Sequence, residues 1–136
     1  TTSSYTVTYA SGRKNVGTYK VTIKMKGKYS GTKTLTFKIN PPKTSVSSLT
    51  AGSKKFTVKW KKQATQTTGY QIQYSTSSKF TKSKTVTVSK NSTTSKTISK
   101  LSGKKKYYVR VRTYKTVGKA KYYSAWSKVK TVITKK

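Results

Sequence analysis

Apolar and polar residues alternate along most of this chain with a period of two. The stretch 18–26 places Tyr19, Val21, Ile23 and Met25 on one side, and lysines and threonines on the other. Because successive side chains of a β-strand point to opposite faces, this alternation predicts strands with one buried face. No stretch has the spacing of an amphipathic helix. The pattern therefore predicts an all-β protein.

The alternating stretches form two groups, separated by the prolines of Asn40-Pro41-Pro42. Proline lacks a backbone donor and cannot continue a central strand, which makes this segment a domain junction or stiff linker. Three predicted strands precede it, at 5–9, 18–26 and 34–39. Seven short ones follow it, at 45–49, 56–60, 69–75, 84–89, 95–101, 107–114 and 126–134. That number and spacing are expected of an immunoglobulin-like β-sandwich. We therefore predict a short three-stranded β segment over 1–41, a linker over 42–44 and a sandwich domain over 45–136.

The second group resembles a fibronectin type III domain at four spaced places. These are the tryptophan of LTAGSKKFTVKW, the alternation GYQIQYS, the sequence LSGKKKYYVRV and the sequence SAWS at 124–127. In the third of these, Tyr107 matches the family's tyrosine corner, in which the hydroxyl bonds back to the backbone. The resemblance implies that Trp60 is a core residue, and Trp126 is likewise expected to be a packing residue.

Residues 1–41 resemble the closing half of a bacterial immunoglobulin-like repeat of Gram-positive surface proteins. The similar stretches are YTVTY, NVGTYKVTI, GKYSGTKT and TFKINP. Three strands alone are marginally stable. We therefore expect them to pack on the second domain, to self-associate with another copy, or to be a truncated remnant. The resemblance implies a bacterial protein built of tandem β-sandwiches that is secreted or displayed at the cell surface or cell wall.

The composition changes the picture, because the chain carries charge of one sign. Its 136 residues include 32 Lys plus Arg and no Asp, Glu, His or Cys, a net charge of +32. Paired carboxylates, Ser–His–Asp triads and Cys–His pairs are thereby excluded, and no ordinary ligand for zinc, calcium or iron is present. We predict no enzyme, no cofactor and no metal. No apolar run reaches the length of a membrane span.

The predicted strand 107–114, within the stretch KKYYVRVRTYK at 105–115, carries the candidate binding face. If Tyr107, Val109 and Val111 point inward, the alternate residues point outward beside Gln71 and Gln73 of the neighbouring strand. Arginine grips phosphate or carboxylate with two donors, and tyrosine offers a ring for stacking. The outward residues and the loop that follows give these candidates for polyanion binding: Tyr108, Arg110, Arg112, Tyr114, Lys115, Lys119, Lys121, Tyr122 and Tyr123. The alternative is structural, because alternating Arg and Tyr also stabilise a sheet through cross-strand stacking.

Four functions remain compatible with these observations. The first is adhesion to an anionic polymer such as a teichoic acid, an acidic polysaccharide or a glycosaminoglycan, since a surface of one sign attracts polyanions. The second is a passive structural spacer in a multidomain surface protein. The third is non-specific nucleic-acid binding, and the fourth is an artificially supercharged scaffold.

Overall fold

The computed structural model describes residues 4–136, so the first three residues of the predicted segment 1–41 lie outside the described residues. The chain divides into two compact units, one ending at Asn40 and the other spanning Pro41–Lys136. The regular elements are strands, in chain order β1 Tyr5–Tyr9, β2 Gly17–Met25, β3 Thr32–Ile39, β4 Val46–Gly52, β5 Lys55–Trp60, β6 Gly69–Ser75, β7 Lys84–Val88, β8 Ser95–Ile98, β9 Lys106–Val117, β10 Ala120–Tyr123 and β11 Lys130–Ile133. Over the described range, no helix has the length and apolar character needed to cross a membrane.

The first unit is an antiparallel sheet in the order β1-β2-β3. The register places Tyr9 opposite Val21 and Val21 opposite Leu35, so the apolar positions of all three strands share one face. That face is only partly covered, because Tyr5, Tyr9 and Leu35 are 52%, 51% and 47% exposed. The apolar face of the first unit is therefore left partly open.

The second unit is a β-sandwich. One sheet has the order β4-β5-β8, and the other has the order β10-β9-β6-β7 with β11 also pairing with β9. The predicted all-β immunoglobulin-like sandwich is confirmed. The unit contains eight strands against the seven predicted, because β10 lies in a stretch that was expected to be a loop.

The core lies between these two sheets and follows the alternation of the sequence. Phe56 and Val58 on β5 face Ile72, Val109 and Val111 on β6 and β9, and all five side chains are fully buried. Truncating a buried aliphatic or aromatic side chain of this kind to alanine costs about 2–5 kcal/mol. The sandwich is therefore held mainly by the inward positions of β5, β6 and β9.

Two residues that carried the resemblance occupy the expected places. Trp60 is 3% exposed and packs on Tyr70 with ring centroids 5.3 Å apart, which confirms it as a core residue. The Tyr107 hydroxyl accepts a hydrogen bond from the backbone N–H of Ser102 at 3.2 Å. This bond closes the corner that leads into β9, as the tyrosine-corner pattern predicts.

The segment 42–44, for which a linker was predicted, is bonded to the second unit. The Thr113 hydroxyl donates to the carbonyl of Pro42 at 2.6 Å, and the Thr44 hydroxyl donates to the carbonyl of Lys61 at 2.5 Å. Thr44 is 6% exposed. These bonds make the segment the beginning of the sandwich unit.

Candidate functional site

The two arginines of β9 lie on the outer face of the larger sheet. Val109 and Val111 are fully buried on the inner face, and the alternate positions Arg110 and Arg112 are half-buried on the other side. The register places Gln73 of β6 opposite Arg110 and Gln71 opposite Arg112. The predicted orientation of these four polar residues is therefore what the structure shows.

Each arginine donates to an amide oxygen in place of a carboxylate. The Nε and Nη2 groups of Arg110 donate to Oε1 of Gln73 at 2.8 and 2.5 Å. The same groups of Arg112 donate to Oε1 of Gln71 at 3.0 and 2.7 Å. A neutral acceptor thus satisfies one edge of each guanidinium, but it leaves the positive charge uncompensated.

The faces of the two guanidiniums are covered by aromatic rings. Arg110 lies 4.0 Å from the ring centroid of Phe80 and 4.7 Å from that of Trp126. Arg112 lies 4.3 Å from Trp126 and 4.0 Å from Tyr123. The result is an alternating column, Phe80–Arg110–Trp126–Arg112–Tyr123, which we call the aromatic–arginine stack. Each contact is within the distance at which a cation is attracted to the face of a ring.

Two serines hold Trp126 at the centre of the stack. The backbone N–H groups of Val111 and Thr113 donate to the hydroxyls of Ser127 and Ser124, both at 3.0 Å. The N–H groups of these serines donate in return to the carbonyls of Val111 and Thr113, at 2.8 and 3.1 Å. The segment therefore binds the edge of β9 between the parts that pair with β10 and β11. This brings the indole ring over the outward arginines.

The electrostatics of the stack follow from its partial burial. Desolvation lowers the pKa of Arg110, and it is also the main cause of the lowered pKa of Arg112, where Tyr123 opposes the shift and Arg110 adds to it. Both side chains stay charged near neutral pH, because arginine does not lose its proton in proteins. The Nη1 group of each has no hydrogen-bond partner among residues 4–136. The bonds to the glutamines thus leave one nitrogen of each guanidinium unused.

The other predicted residues of β9 have different surroundings. Tyr108 is half-buried on the outer face, with the Lys106 ammonium 5.8 Å from its ring centroid. Tyr114 was expected to be exposed, but it is 4% exposed. Its ring lies over Gly69, where a Cβ atom would approach it to 3.0 Å, and the ring of Tyr123 packs beside it at 6.3 Å. Tyr114 is thus packed within the outer face.

The stretch 115–123, predicted to be a loop, is mostly a β-hairpin. Strand β9 continues to Val117, and a turn with Gly118 in the left-handed region (φ 58°) leads into β10. The register pairs Lys115 with Tyr122, one step out of phase with Tyr114 and Tyr123. Because strand side chains alternate, the pair Lys115 and Tyr122 lies on the opposite face from the stack.

Two lysines of the hairpin remain exposed. Lys121 has its ammonium 5.4 Å from the ring centroid of Tyr114, and Lys119 follows the turn. The structure therefore brings Arg110, Arg112, Tyr123 and Lys121 together with Tyr114 beneath them, and it separates Lys115 and Tyr122 from this group.

Sequence reasoning missed two members of the stack. Trp126 was expected only as a packing residue, whereas it is half-buried between two arginines on the outer face. Its flanking serines were the available signal, because a short hydroxyl can satisfy the edge of a strand where no strand pairs. Phe80 lies in the β6–β7 connection in the left-handed region (φ 55°), a conformation that a bulky side chain rarely adopts and that no sequence pattern announced.

The arrangement consists of guanidiniums and aromatic rings, with exposed lysines beside them. A planar column of rings and guanidiniums with outward Nη1 edges suits an anionic group that approaches along the sheet. No group of His, Cys, Asp or Glu that could hold a metal ion occurs in the described part of the chain. The site is a candidate contact surface.

Comparison with known proteins connects the sandwich to a family. Residues 40–130 match the family model described as the fibronectin type III domain. The FN1-FN3 domains of chicken CNTN1 resemble the chain with a TM-score of 0.61 and 22% sequence identity, over 90% of this chain and 44% of the other. The chain thus spans less than half the length of that relative. A structure described as a myokine gives a TM-score of 0.58 at 14% identity, over 72% of this chain and all of the other. No curated protein matches the chain.

Proposed function

The chain belongs to the fibronectin type III family, and from this premise we propose that it is a non-catalytic module that attaches to an anionic polymer. Domains of this family are generally binding or spacer modules and are typical of extracellular or surface proteins. The observation that carries the proposal is the charge: 32 basic residues and no acidic one. Since no carboxylate side chain exists to pair with them, their counter-charge comes from outside the protein.

The physical basis of attachment is the release of counterions from the polymer. Lysines and arginines that neutralise charges on a polyanion free the small ions condensed there, which makes binding strongly dependent on salt. The aromatic–arginine stack adds order to this attraction. Its Nη1 edges are held in place by Gln71, Gln73 and the rings, so little side-chain freedom is lost when a ligand binds.

The test is retention on immobilised polyanion against salt. We compare the parent chain with Arg110→Gln plus Arg112→Gln, and with a control, Lys55→Gln plus Lys59→Gln, on exposed outward positions of the other sheet. Both pairs of substitutions remove two positive charges. If the attraction is non-specific, both should therefore reduce the salt dependence of retention equally. We expect the arginine pair to elute at a clearly lower salt concentration than the lysine pair.

A third variant separates charge from geometry. Arg110→Lys plus Arg112→Lys keeps both charges but loses the planar fork and most of the stacking. We expect its retention to fall between the parent and the glutamine variant. If the Arg110→Gln plus Arg112→Gln variant is retained as well as the Lys55→Gln plus Lys59→Gln control, attachment is diffuse. Retention that does not depend on salt would refute polymer attachment.

A passive spacer is the second candidate, and one observation favours it. Each arginine already donates twice to a glutamine and stacks on two rings, so the column is stabilising without any ligand. If the chain is a spacer, the arginine variants are less stable than the parent chain, but neither the parent nor the variants are retained on the polyanion. Measuring unfolding and retention on the same variants separates the two functions.

We place the proposed function at the bacterial cell surface, in the cell wall or in a secreted protein, with the first unit as the closing half of a bacterial immunoglobulin-like repeat. Teichoic acid, acidic polysaccharide and glycosaminoglycan are the polymer classes to compare, with duplex DNA as a non-specific reference at one salt concentration. The half-exposed apolar side chains Tyr5, Tyr9 and Leu35 support self-association through residues 1–41. Sedimentation at high salt, where charge repulsion is screened, tests that part.

A further inference from the structure

A basic cavity lies at the end of the sandwich where β6 ends and β9 begins. It has a volume of about 250 Å³, and its lining includes three exposed lysines, Lys82, Lys84 and Lys100. These lysines come from the β6–β7 connection, the start of β7 and the β8–β9 connection, so three separate segments converge on one concavity. None of them has a carboxylate side chain to pair with, because the chain contains none.

Two of the three lysines have a constrained backbone. Lys82 and Lys100 are in the left-handed region, with φ of 48° and 58°. For a residue with a Cβ atom, this conformation costs about 1 kcal/mol or more, so contacts with the surrounding structure must stabilise it. Both lysines therefore lie in connections whose backbone is held in a defined conformation beside the cavity.

The cavity also contains the hydroxyls of two buried tyrosines. Tyr74 is 8% exposed and lines the cavity. Tyr107 is 7% exposed, and its hydroxyl accepts a bond from Ser102, which leaves its own proton free to donate. Burial, with a smaller contribution from Tyr107, raises the pKa of Tyr74, so that its hydroxyl remains a donor well above neutral pH.

We propose that this cavity is a binding site for one phosphate group, either inorganic phosphate or the end of a phosphate monoester. Three ammonium groups supply the charge, and the hydroxyls of Tyr74 and Tyr107 supply directed donors to its oxygens. The volume exceeds the roughly 30 Å³ share of one water several times over, which leaves room for a phosphate and some of its water. The site is separate from the aromatic–arginine stack, so it neither requires nor excludes polymer attachment.

The experiment is a titration of the full chain, labelled with ¹⁵N, with inorganic phosphate at pH 7.5 and constant ionic strength. A single site predicts saturable shifts of the amides of Ser75, Thr76 and Ser102 with one dissociation constant. Amides beside lysines elsewhere, such as Lys59, should show only small shifts that rise linearly. A parallel titration with glycerol 3-phosphate identifies the source: tighter binding indicates an organic monoester, and equal binding indicates the phosphate group alone.

Two variants test the lining. Tyr74→Phe removes only a hydroxyl, so we expect the fold to be retained, and the spectrum of the unliganded variant checks this. A hydrogen bond to a charged group contributes enough that we expect affinity to fall about tenfold. Lys100→Gln should weaken binding by a similar factor, whereas the control Lys59→Gln should change it less than twofold.

Two results would overturn the proposal. One is a set of phosphate shifts spread evenly over the lysine-bearing surface. The other is unchanged affinity in both Tyr74→Phe and Lys100→Gln. A negative result in the phosphate titration does not bear on polymer attachment, and a negative retention experiment does not bear on the phosphate site. The two experiments use different variants and different probes.

Discussion

The contact between Trp126 and Arg112 can be measured directly by a double-mutant cycle. The perturbations are Trp126→Ala, Arg112→Met and both together. Methionine keeps most of the stem of Arg112, so the change removes mainly the guanidinium. The two groups lie 4.3 Å apart, and a cation over a ring at a partly exposed site contributes about 0.5–1 kcal/mol.

The single variants lose more than this coupling. Trp126→Ala also removes the contact with Arg110 at 4.7 Å and part of the buried area of an indole, so we expect a loss of about 2–3 kcal/mol. Arg112→Met removes the bonds to Gln71 and the contact with Tyr123, but it also relieves repulsion from the other positive charges. The cycle subtracts these separate effects and leaves the pairwise energy.

The assay is urea unfolding at 25 °C, followed by tryptophan fluorescence. The chain has two tryptophans, Trp60 and Trp126, and both belong to the second unit, so the signal reports the sandwich alone. Trp60 remains as the probe when Trp126 is removed. A control cycle of Trp126→Ala with Lys59→Met joins residues on the outer faces of different sheets and should give no coupling.

The reasoning is refuted if the Arg112–Trp126 coupling stays within about 0.3 kcal/mol of zero, the usual error of additivity between independent sites. The aromatic–arginine stack would then be a geometric arrangement without energetic weight. The contribution of the arginines to stability would then rest on their bonds to Gln73 and Gln71.

Three further outcomes follow from the same structure. Gly69→Ala should destabilise the sandwich by about 1–3 kcal/mol or more in urea unfolding, because the added Cβ would lie 2.1 Å from the carbonyl oxygen of Val88, whereas Gly118→Asn, in open space with φ 58°, should change little. Burial, with a smaller effect of Tyr123, raises the pKa of Tyr114. The stability linked to this shift is complete below pH 10 and is lost as the pH rises through the raised pKa. Between pH 9 and 11, the free energy of unfolding should therefore fall less in Tyr114→Phe than in the parent chain. Raising NaCl from 0.01 to 0.15 M should raise the melting temperature, since the Debye length falls from about 30 to 8 Å, and a falling melting temperature would contradict charge repulsion as the cost.

The alternation of the sequence predicts most of the sandwich because each inner face is buried. Strand β6 matches its predicted bounds, 69–75, and the inward Val109 and Val111 fix the outward direction of Arg110 and Arg112. A shift of one residue would move the entire apolar set to the wrong face, so the register is strongly determined wherever one face is buried.

The alternation could not predict the candidate site in full. It directs Tyr114 correctly to the outer face, but it does not show that the ring is buried there, in the space that Gly69 leaves on the neighbouring strand. It also gives no information on segments that leave the strands, and Phe80 and Trp126 reach the arginines from such segments. Those positions depend on tertiary contacts, which a local period does not contain.

The choice of amide oxygens as acceptors for Arg110 and Arg112 has a consequence in acid. Most proteins unfold at low pH because native carboxylates become protonated, but Gln71 and Gln73 have no proton to gain there. Lysine, arginine and tyrosine change their protonation only in alkali. The sandwich thus carries the same number of positive side chains in an acidified medium as in a neutral one. Any dependence of the proposed attachment on acidity would then originate in the phosphates or carboxylates of the polymer.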